Sequence, residues 1–320
     1  MPYRIVERIF SDCDTCPSFL LANIHGSTSV EHNLNKMEEI VQIAHEKEVN
    51  VVIFPELAVT GYVWNAQDSA NVFELLHEGE NNRISPRLKN IRDSLTEGRG
   101  GLEYIFYGNT RLKGGNFYNS TFILNPGMDC CDEQYVYDKV FLPPNEKRFF
   151  TQGADNRLSI DTKWGRFGFL VCYDLCFVEL ARLYAFVDEV DAIITMAAWH
   201  SEAVRDYPHM NIRTDHYYGF IWDLMNASKA AYNQIWSLGV NWVGTHEKSM
   251  EYFWGGSGIW APSGMKLLGG SNLKEELLII RNVDIKQQRA AEQDDFNYRI
   301  EFESFYRHIE HPAKSTRFLP

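Results

Sequence analysis

Three short stretches of the 320-residue chain hold side chains that do chemistry together: a carboxylate, an ammonium and a thiol. The first is Val51-Val-Ile-Phe-Pro-Glu56-Leu-Ala-Val-Thr-Gly-Tyr62. Glu56 follows an apolar run and a proline, so it sits at the C-terminal end of a buried strand, where α/β proteins hold their sites. Partial desolvation raises the pKa of such a group and suits it to general-base work. The second is Tyr137-Asp-Lys139-Val-Phe-Leu-Pro-Pro-Asn-Glu146. Lys139 lies among apolar residues, and an inward lysine is costly unless it meets a carboxylate. Once paired, it offers fixed positive charge to a developing oxyanion. The third is Arg166-Phe-Gly-Phe-Leu-Val-Cys172-Tyr-Asp-Leu-Cys-Phe-Val-Glu-Leu-Ala-Arg182. An apolar strand running into Cys172 and then a helix-like stretch is the order that presents a nucleophile. A helix N-terminus there is expected to lower the thiol pKa and to offer N–H groups to an oxyanion.

Taken singly, each residue also fits a plain role. Glu56 fits a turn cap, Lys139 a surface lysine, Glu146 a solvated loop residue and Cys172 a core cysteine. Cys176, one helical turn beyond Cys172, reads as packing.

The elements that position these groups follow from hydrophobic pattern. Strand-like runs cover residues 19–24, 49–54, 104–108, 120–125, 134–141, 165–172, 192–197, 235–241, 258–260 and 277–283. Helical spacing appears at 33–47, where Leu34, Met37, Ile40, Val41 and Ala44 form one apolar face. Further helix is expected at 73–76, 84–95, 177–186 and 217–232. Strands alternating with helices, with no repeat or Pro/Gly/Ser linker between them, indicate one α/β domain over residues 17–284. Residues 1–16 read as an N-terminal extension, and 285–320 as a C-terminal tail packing on the domain or on a partner subunit.

Composition excludes several classes. Apolar residues make up 45% and charged residues 23%, ordinary for a globular chain with a core. The net charge is −12 with no Lys/Arg cluster, which argues against a nucleic-acid partner. No apolar run approaches the roughly 20 residues that span a bilayer, and the first residues carry no secretory pattern, so a cytoplasmic protein without membrane partners is expected. Of the six cysteines, Cys13 and Cys16 have C-x-x-C spacing, but no second pair completes a zinc site, so no metal is expected. A disulfide framework is not expected either, and the two read as incidental thiols. Cys130 and Cys131 read as a surface turn after Asn125-Pro-Gly127.

The order of the three motifs is more specific than any one of them. F-P-E ending at Glu56, K-x-x-L-x-P from Lys139 followed by Glu146, and G-x-x-x-C-Y-D-x-x-F-x-E-L-A-R around Cys172 resemble the nitrilase, or carbon–nitrogen hydrolase, superfamily. The resemblance continues through Thr195-Met-Ala-Ala-Trp199, Ser228-Lys-Ala-Ala-Tyr-Asn233 and Gly256-Ser-Gly-Ile-Trp-Ala-Pro-Ser-Gly264. It implies a four-layer α-β-β-α sandwich assembled as a homodimer or larger. It further implies Glu56 as general base, Lys139 as oxyanion stabiliser, Cys172 as nucleophile, Glu146 as a second carboxylate near the substrate, and no cofactor. The family often has R-A-x-E-N where this chain has Lys229-Ala-Ala-Tyr232-Asn233, so a structural acid is missing from the long helix.

Tyr173-Asp174 after the nucleophile follows the amidase and carbamoyl-hydrolase branches, whereas nitrilases tend to have Trp-Glu. Leu175 and Cys176 stand where branches acting on carboxylate-bearing substrates often carry Arg, so the nearby part of the substrate is expected to be neutral or apolar. Tyr62, Tyr173, Trp199, His200 and Trp64 are candidate substrate contacts. His209, Arg213 and His216 are candidate readers of a polar group, while Trp254 reads better as core. The expected substrate is a small amide or ureido compound. The alternatives are a nitrile and, from another class, a catalytically silent scaffold on the same fold.

Overall fold

The computed structural model describes residues 3–62, 69–95, 101–127, 132–154, 157–201, 203–245 and 252–306. Trp64, Cys130 and Cys131 lie outside them. Strands β1 (Arg4–Ile9) and β2 (Phe19–Asn23) precede helix α1 (Val30–Glu46), followed by β3 (Val51–Ile53), α2 (Ser69–Glu78) and α3 (Ser85–Asp93). A long hairpin of β4 (Tyr104–Lys113) and β5 (Asn116–Leu124) leads to β6 (Val136–Asp138), β7 (Ser159–Thr162) and β8 (Gly165–Val171). Then come α4 (Val178–Phe186), β9 (Ala192–Ala197), a small hairpin of β10 (Arg205–Tyr207) and β11 (Ile212–Thr214), and α5 (Tyr217–Asn233). The chain continues through β12 (Trp236–Asn241), β13 (Val243–Thr245), β14 (Tyr252–Trp254), β15 (Gly258–Trp260), β16 (Lys266–Gly269), β17 (Glu276–Arg281), α6 (Ile285–Asp295) and α7 (Tyr298–Tyr306).

Two sheets carry the fold. The first has the order β1-β17-β2-β3-β4-β5-β6 and the second β16-β15-β12-β9-β8-β7. Strand alternation sets the layers. On β2 and β3, Phe19, Leu21, Val51 and Ile53 face a core shared with Phe167, Phe169, Val171, Ile194 and Met196 of the second sheet. Leu20, Ala22 and Val52 face the opposite way, onto the α1 stripe of Leu34, Met37, Ile40, Val41 and Ala44. On the far side, Leu170 and Ile193 pack under Leu180, Ala181 and Tyr184 of α4, and α5 lies against β12 and α4. The result is helix, sheet, sheet, helix, the expected α-β-β-α sandwich. No helix among the described residues is long and apolar enough to cross a membrane.

Two features of the N-terminal region differ from a plain reading of the sequence. Arg4–Ile9 is an edge strand pairing in parallel with β17. Cys13 and Cys16, expected to be incidental thiols, form a disulfide. The turn that returns Cys16 N–H to the Cys13 carbonyl (3.1 Å) brings the two side chains together.

Candidate active site

The site sits where the C-terminal ends of β3, β6, β8 and β9 converge. Pro55 ends β3, and Glu56 follows, fully buried, with Leu57 in the left-handed region at φ 51°. The backbone of Glu56 runs so close to β4 that a Cβ on Gly108 would lie 2.6 Å from its Cα. Only glycine allows that approach. Glu56 Oε1 accepts hydrogen bonds from Lys139 Nζ (2.8 Å) and Asn119 Nδ2 (2.7 Å), while Oε2 accepts from Ala198 N–H (2.7 Å). The indole N–H of Trp242 donates to the Glu56 carbonyl at 2.7 Å.

Lys139 follows β6 and is also fully buried. Its Nζ donates to Glu56 and to both oxygens of Glu146 (2.8 and 2.9 Å). Burial works against its charge, but the two carboxylates outweigh that and hold its pKa above the ordinary lysine value. Glu146, which could have passed for a solvated loop residue, is wholly enclosed because the 3-10 turn Glu146–Arg148 points it inward. Burial, with a further push from the charge of Glu56, raises its pKa to about 7 against the opposing pull of Lys139. Tyr62 OH donates to Glu146 Oε1 at 3.0 Å, and Asn145 Nδ2 donates to the same hydroxyl at 3.1 Å.

Cys172 follows β8 in the left-handed region at φ 47° and starts a 3-10 turn over Cys172–Cys176, with α4 beginning only at Val178. Such backbone in a non-glycine residue is characteristic of functional sites, where the surrounding structure holds it. Asp174 does much of the holding. It accepts from Val171 N–H (3.0 Å), Phe141 N–H (2.8 Å) and Tyr137 OH (2.8 Å). The thiol feels Glu56, Lys139 and Glu146 together. The expectation of a lowered pKa is corrected: burial and then Glu56 push it well above the ordinary value, only partly opposed by Lys139. A five-residue 3-10 turn has too few aligned peptide dipoles to offset desolvation.

A cavity of about 590 Å³ opens onto Cys172. Tyr62, Tyr173, Trp199 and His200 line it, so four of the five candidate contacts meet there. Cys176, read as packing, also reaches it. His209, Arg213 and His216 belong to the β10–β11 region and are not among its described lining residues, and Arg213 pairs with Asp215 at 3.0 Å. Trp254 packs beneath Gly219 of α5, within contact distance of where a side chain there would start. A second cleft of about 600 Å³ beside Thr15, Lys163 and Trp164 shows that size alone would not single out the site. The reactive groups do.

Sequence reasoning missed Asn119 and the contribution of α5. Asn119 is one of three consecutive buried polar residues, Asn119-Ser-Thr121, in an otherwise apolar strand, and that interruption was the available signal. From α5, Tyr217, Tyr218, Ile221 and Met225 supply a cavity wall.

Comparison with known proteins identifies the family and the fold. The carbon-nitrogen hydrolase family profile matches residues 21–293. A probable nitrilase from Schizosaccharomyces pombe is 26% identical over 273 residues, covering 84% of this chain and 89% of the relative. An (R)-stereoselective amidase from Pseudomonas is 26% identical over 247 residues, 77% of each chain. A CN-hydrolase superfamily protein from Xanthomonas campestris, solved with an arsenic adduct in its active site, superposes with a TM-score of 0.71 at 17% identity, covering 89% of this chain and 97% of that one. The chain belongs to the carbon–nitrogen hydrolase family.

Proposed function

We propose that this hydrolase cleaves amides or N-carbamoyl compounds through a thioester on Cys172, with Glu56 as general base, Lys139 as oxyanion stabiliser and Glu146 as a second carboxylate beside the substrate. One observation carries the reading: a cysteine at a strained strand end faces a lysine held between two buried carboxylates. A buried thiol with a raised pKa is a weak nucleophile until a base takes its proton during attack. Glu56 takes that proton as sulfur bonds to the carbonyl carbon. In the resting site the Lys139 donors are all directed at Glu56 and Glu146. The new oxyanion competes with Glu146 for one of them, so the stabilising charge is already aligned when it is needed. A backbone N–H at Cys172 or Tyr173 supplies a second donor. The C–N bond then breaks, the amine or ammonia leaves with the proton from Glu56, and Glu56 deprotonates the water that cleaves the thioester.

Attack on a nitrile is the second reading, favoured by the similarity to the fission-yeast probable nitrilase. Tyr173-Asp174 weighs against it. Exposed apolar side chains on α4 and α5, such as Val178, Leu183, Phe220 and Leu224, support a homodimer or larger assembly. The deciding experiment is a panel of amides, ureido compounds and nitriles, run beside Cys172→Ala, with the enzyme followed by intact mass. An acyl adduct on Cys172 and loss of turnover in the variant are expected. Full turnover by Cys172→Ala would remove the central assignment, and nitriles as the best substrates would transfer it to the second reading.

A further inference from the structure

The space in front of Cys172 is much larger than an amide group requires, and its described lining is mostly aromatic and aliphatic, with His200 as its one basic side chain. Among the described residues around the 590 Å³ cavity there is no Asp, Glu, Lys or Arg side chain. The ionisable cluster of Glu56, Lys139 and Glu146 is fully buried and bonded to itself. One wall comes from Tyr218, Ile221 and Met225, which recur at helical spacing along α5. Trp199 adjoins it with its indole N–H donated to the Tyr218 carbonyl (2.7 Å), so the ring presents carbon to the cavity. Cys176 and Met225 have a second role. Both also line a separate cleft of about 80 Å³ whose other walls include Leu175, Arg182 and Lys229. These two side chains therefore divide a large space from a small one.

We propose that the cavity selects a neutral amide with an apolar acyl chain or ring, and that Cys176 and Met225 form the end wall limiting its length. This rests on Cys172 being the nucleophile of an amide hydrolase. Each CH₂ buried against such a wall should raise kcat/KM about fourfold until the chain reaches its end. A carboxylate at the far end of the acyl chain would meet no Lys or Arg in the cavity lining, with Cys176 and Met225 standing between it and Arg182 and Lys229, and should lower kcat/KM about 100-fold or more. Methionine is flexible enough to act as a movable stop, and shortening it would join the two spaces.

The test compares primary amides R–CONH₂, with R from methyl to heptyl and benzyl, against N-alkyl acetamides of the same lengths and against one ω-carboxylate primary amide. The acyl series should rise to an optimum while the amine series stays flat, and the acid should be the poorest substrate for its length. Met225→Ala should move the optimum to longer acyl chains, and Cys176→Leu to shorter ones. Equal gains in the amine series, no dependence on chain length, or preference for the acid would overturn the proposal. If no amide turns over, the hydrolase assignment fails separately. Alkylation of Cys172 by neutral alkyl 2-chloroamides and their ω-carboxylate analogue, read by intact mass, then still decides the cavity claim. Faster labelling by longer neutral reagents supports it, and equal or reversed rates sink it.

Discussion

Among the described residues two lysines are buried, and they live in opposite electrostatic worlds. Lys139 is held between Glu56 and Glu146 and keeps its charge. Lys229, near the end of α5, donates to Thr195 Oγ1 (2.5 Å) and Asn226 Oδ1 (3.3 Å), and no carboxylate pairs with it among the described residues. Burial lowers its pKa to about 7. The missing partner fits the local sequence: Tyr232 stands where the family often has an acid, and its side chain is 63% exposed. Burial does not decide whether a lysine can stabilise an anion. The neighbouring carboxylates do, by prepaying its desolvation.

Lys139→Met should break the comparison most visibly. It removes the proposed oxyanion partner and leaves two facing carboxylates, and kcat/KM on the best amide should fall about 10³-fold or more. A loss below tenfold would mean that Lys139 is only structural. Lys229→Met tests the other side through stability. The folded state holds this lysine near pH 7, whereas the unfolded chain titrates near 10.4. Between those values the unfolded state binds more protons, so stability rises with pH, by about 5 kcal/mol at most. The methionine variant lacks that slope. In denaturant unfolding its advantage over the wild type should be greatest at pH 7 and below, and should shrink toward pH 10. A constant difference would show that Lys229 does not titrate there.

Asp174→Asn comes next in size. An amide cannot reproduce three acceptor contacts, so one buried donor loses its partner, at a cost of about 1–3 kcal/mol in chemical unfolding. Unchanged stability would mean that the three contacts do not hold the turn. The smallest effect is expected from Glu146→Gln. Glu146 raises the Cys172 thiol pKa and Lys139 lowers it. Alkylation of Cys172 by iodoacetamide at pH 7 should therefore speed up several-fold in Glu146→Gln and slow in Lys139→Met, and the reverse order would contradict the charge arrangement.

The sequence made the strand ends legible because apolar runs stop at chemically marked residues, Pro55 before Glu56 and Cys172 itself. The buried lysine was legible only through the order of the three motifs, since alone it fitted a surface lysine. Asn119 was not, because its value depends on strand pairing: Lys139 N–H donates to the Asn119 carbonyl at 2.8 Å, which sets the side chain beside both glutamates. Local pattern contains no such register. The same holds for Arg4–Ile9, whose polar residues hide a strand that exists only because β17 offers an edge. The α5 wall was hidden for another reason. In α5 apolar side chains such as Phe220 and Leu224 are exposed while Asn226 and Lys229 are buried, so hydrophobic pattern gives no hint of which residues face a cavity.

Asp174 links parts of the chain that belong to different sheets. Tyr137 lies on β6 of the first sheet, Val171 on β8 of the second, and Phe141 in the segment just beyond Lys139. Without it, the separation of sulfur and ammonium would follow whatever thickness the inter-sheet core happened to adopt. With it, that separation is fixed locally. Substitutions in the layer of Phe, Ile and Val between the sheets should therefore leave this spacing constant, which makes tolerance of core change in this chain a property of one carboxylate.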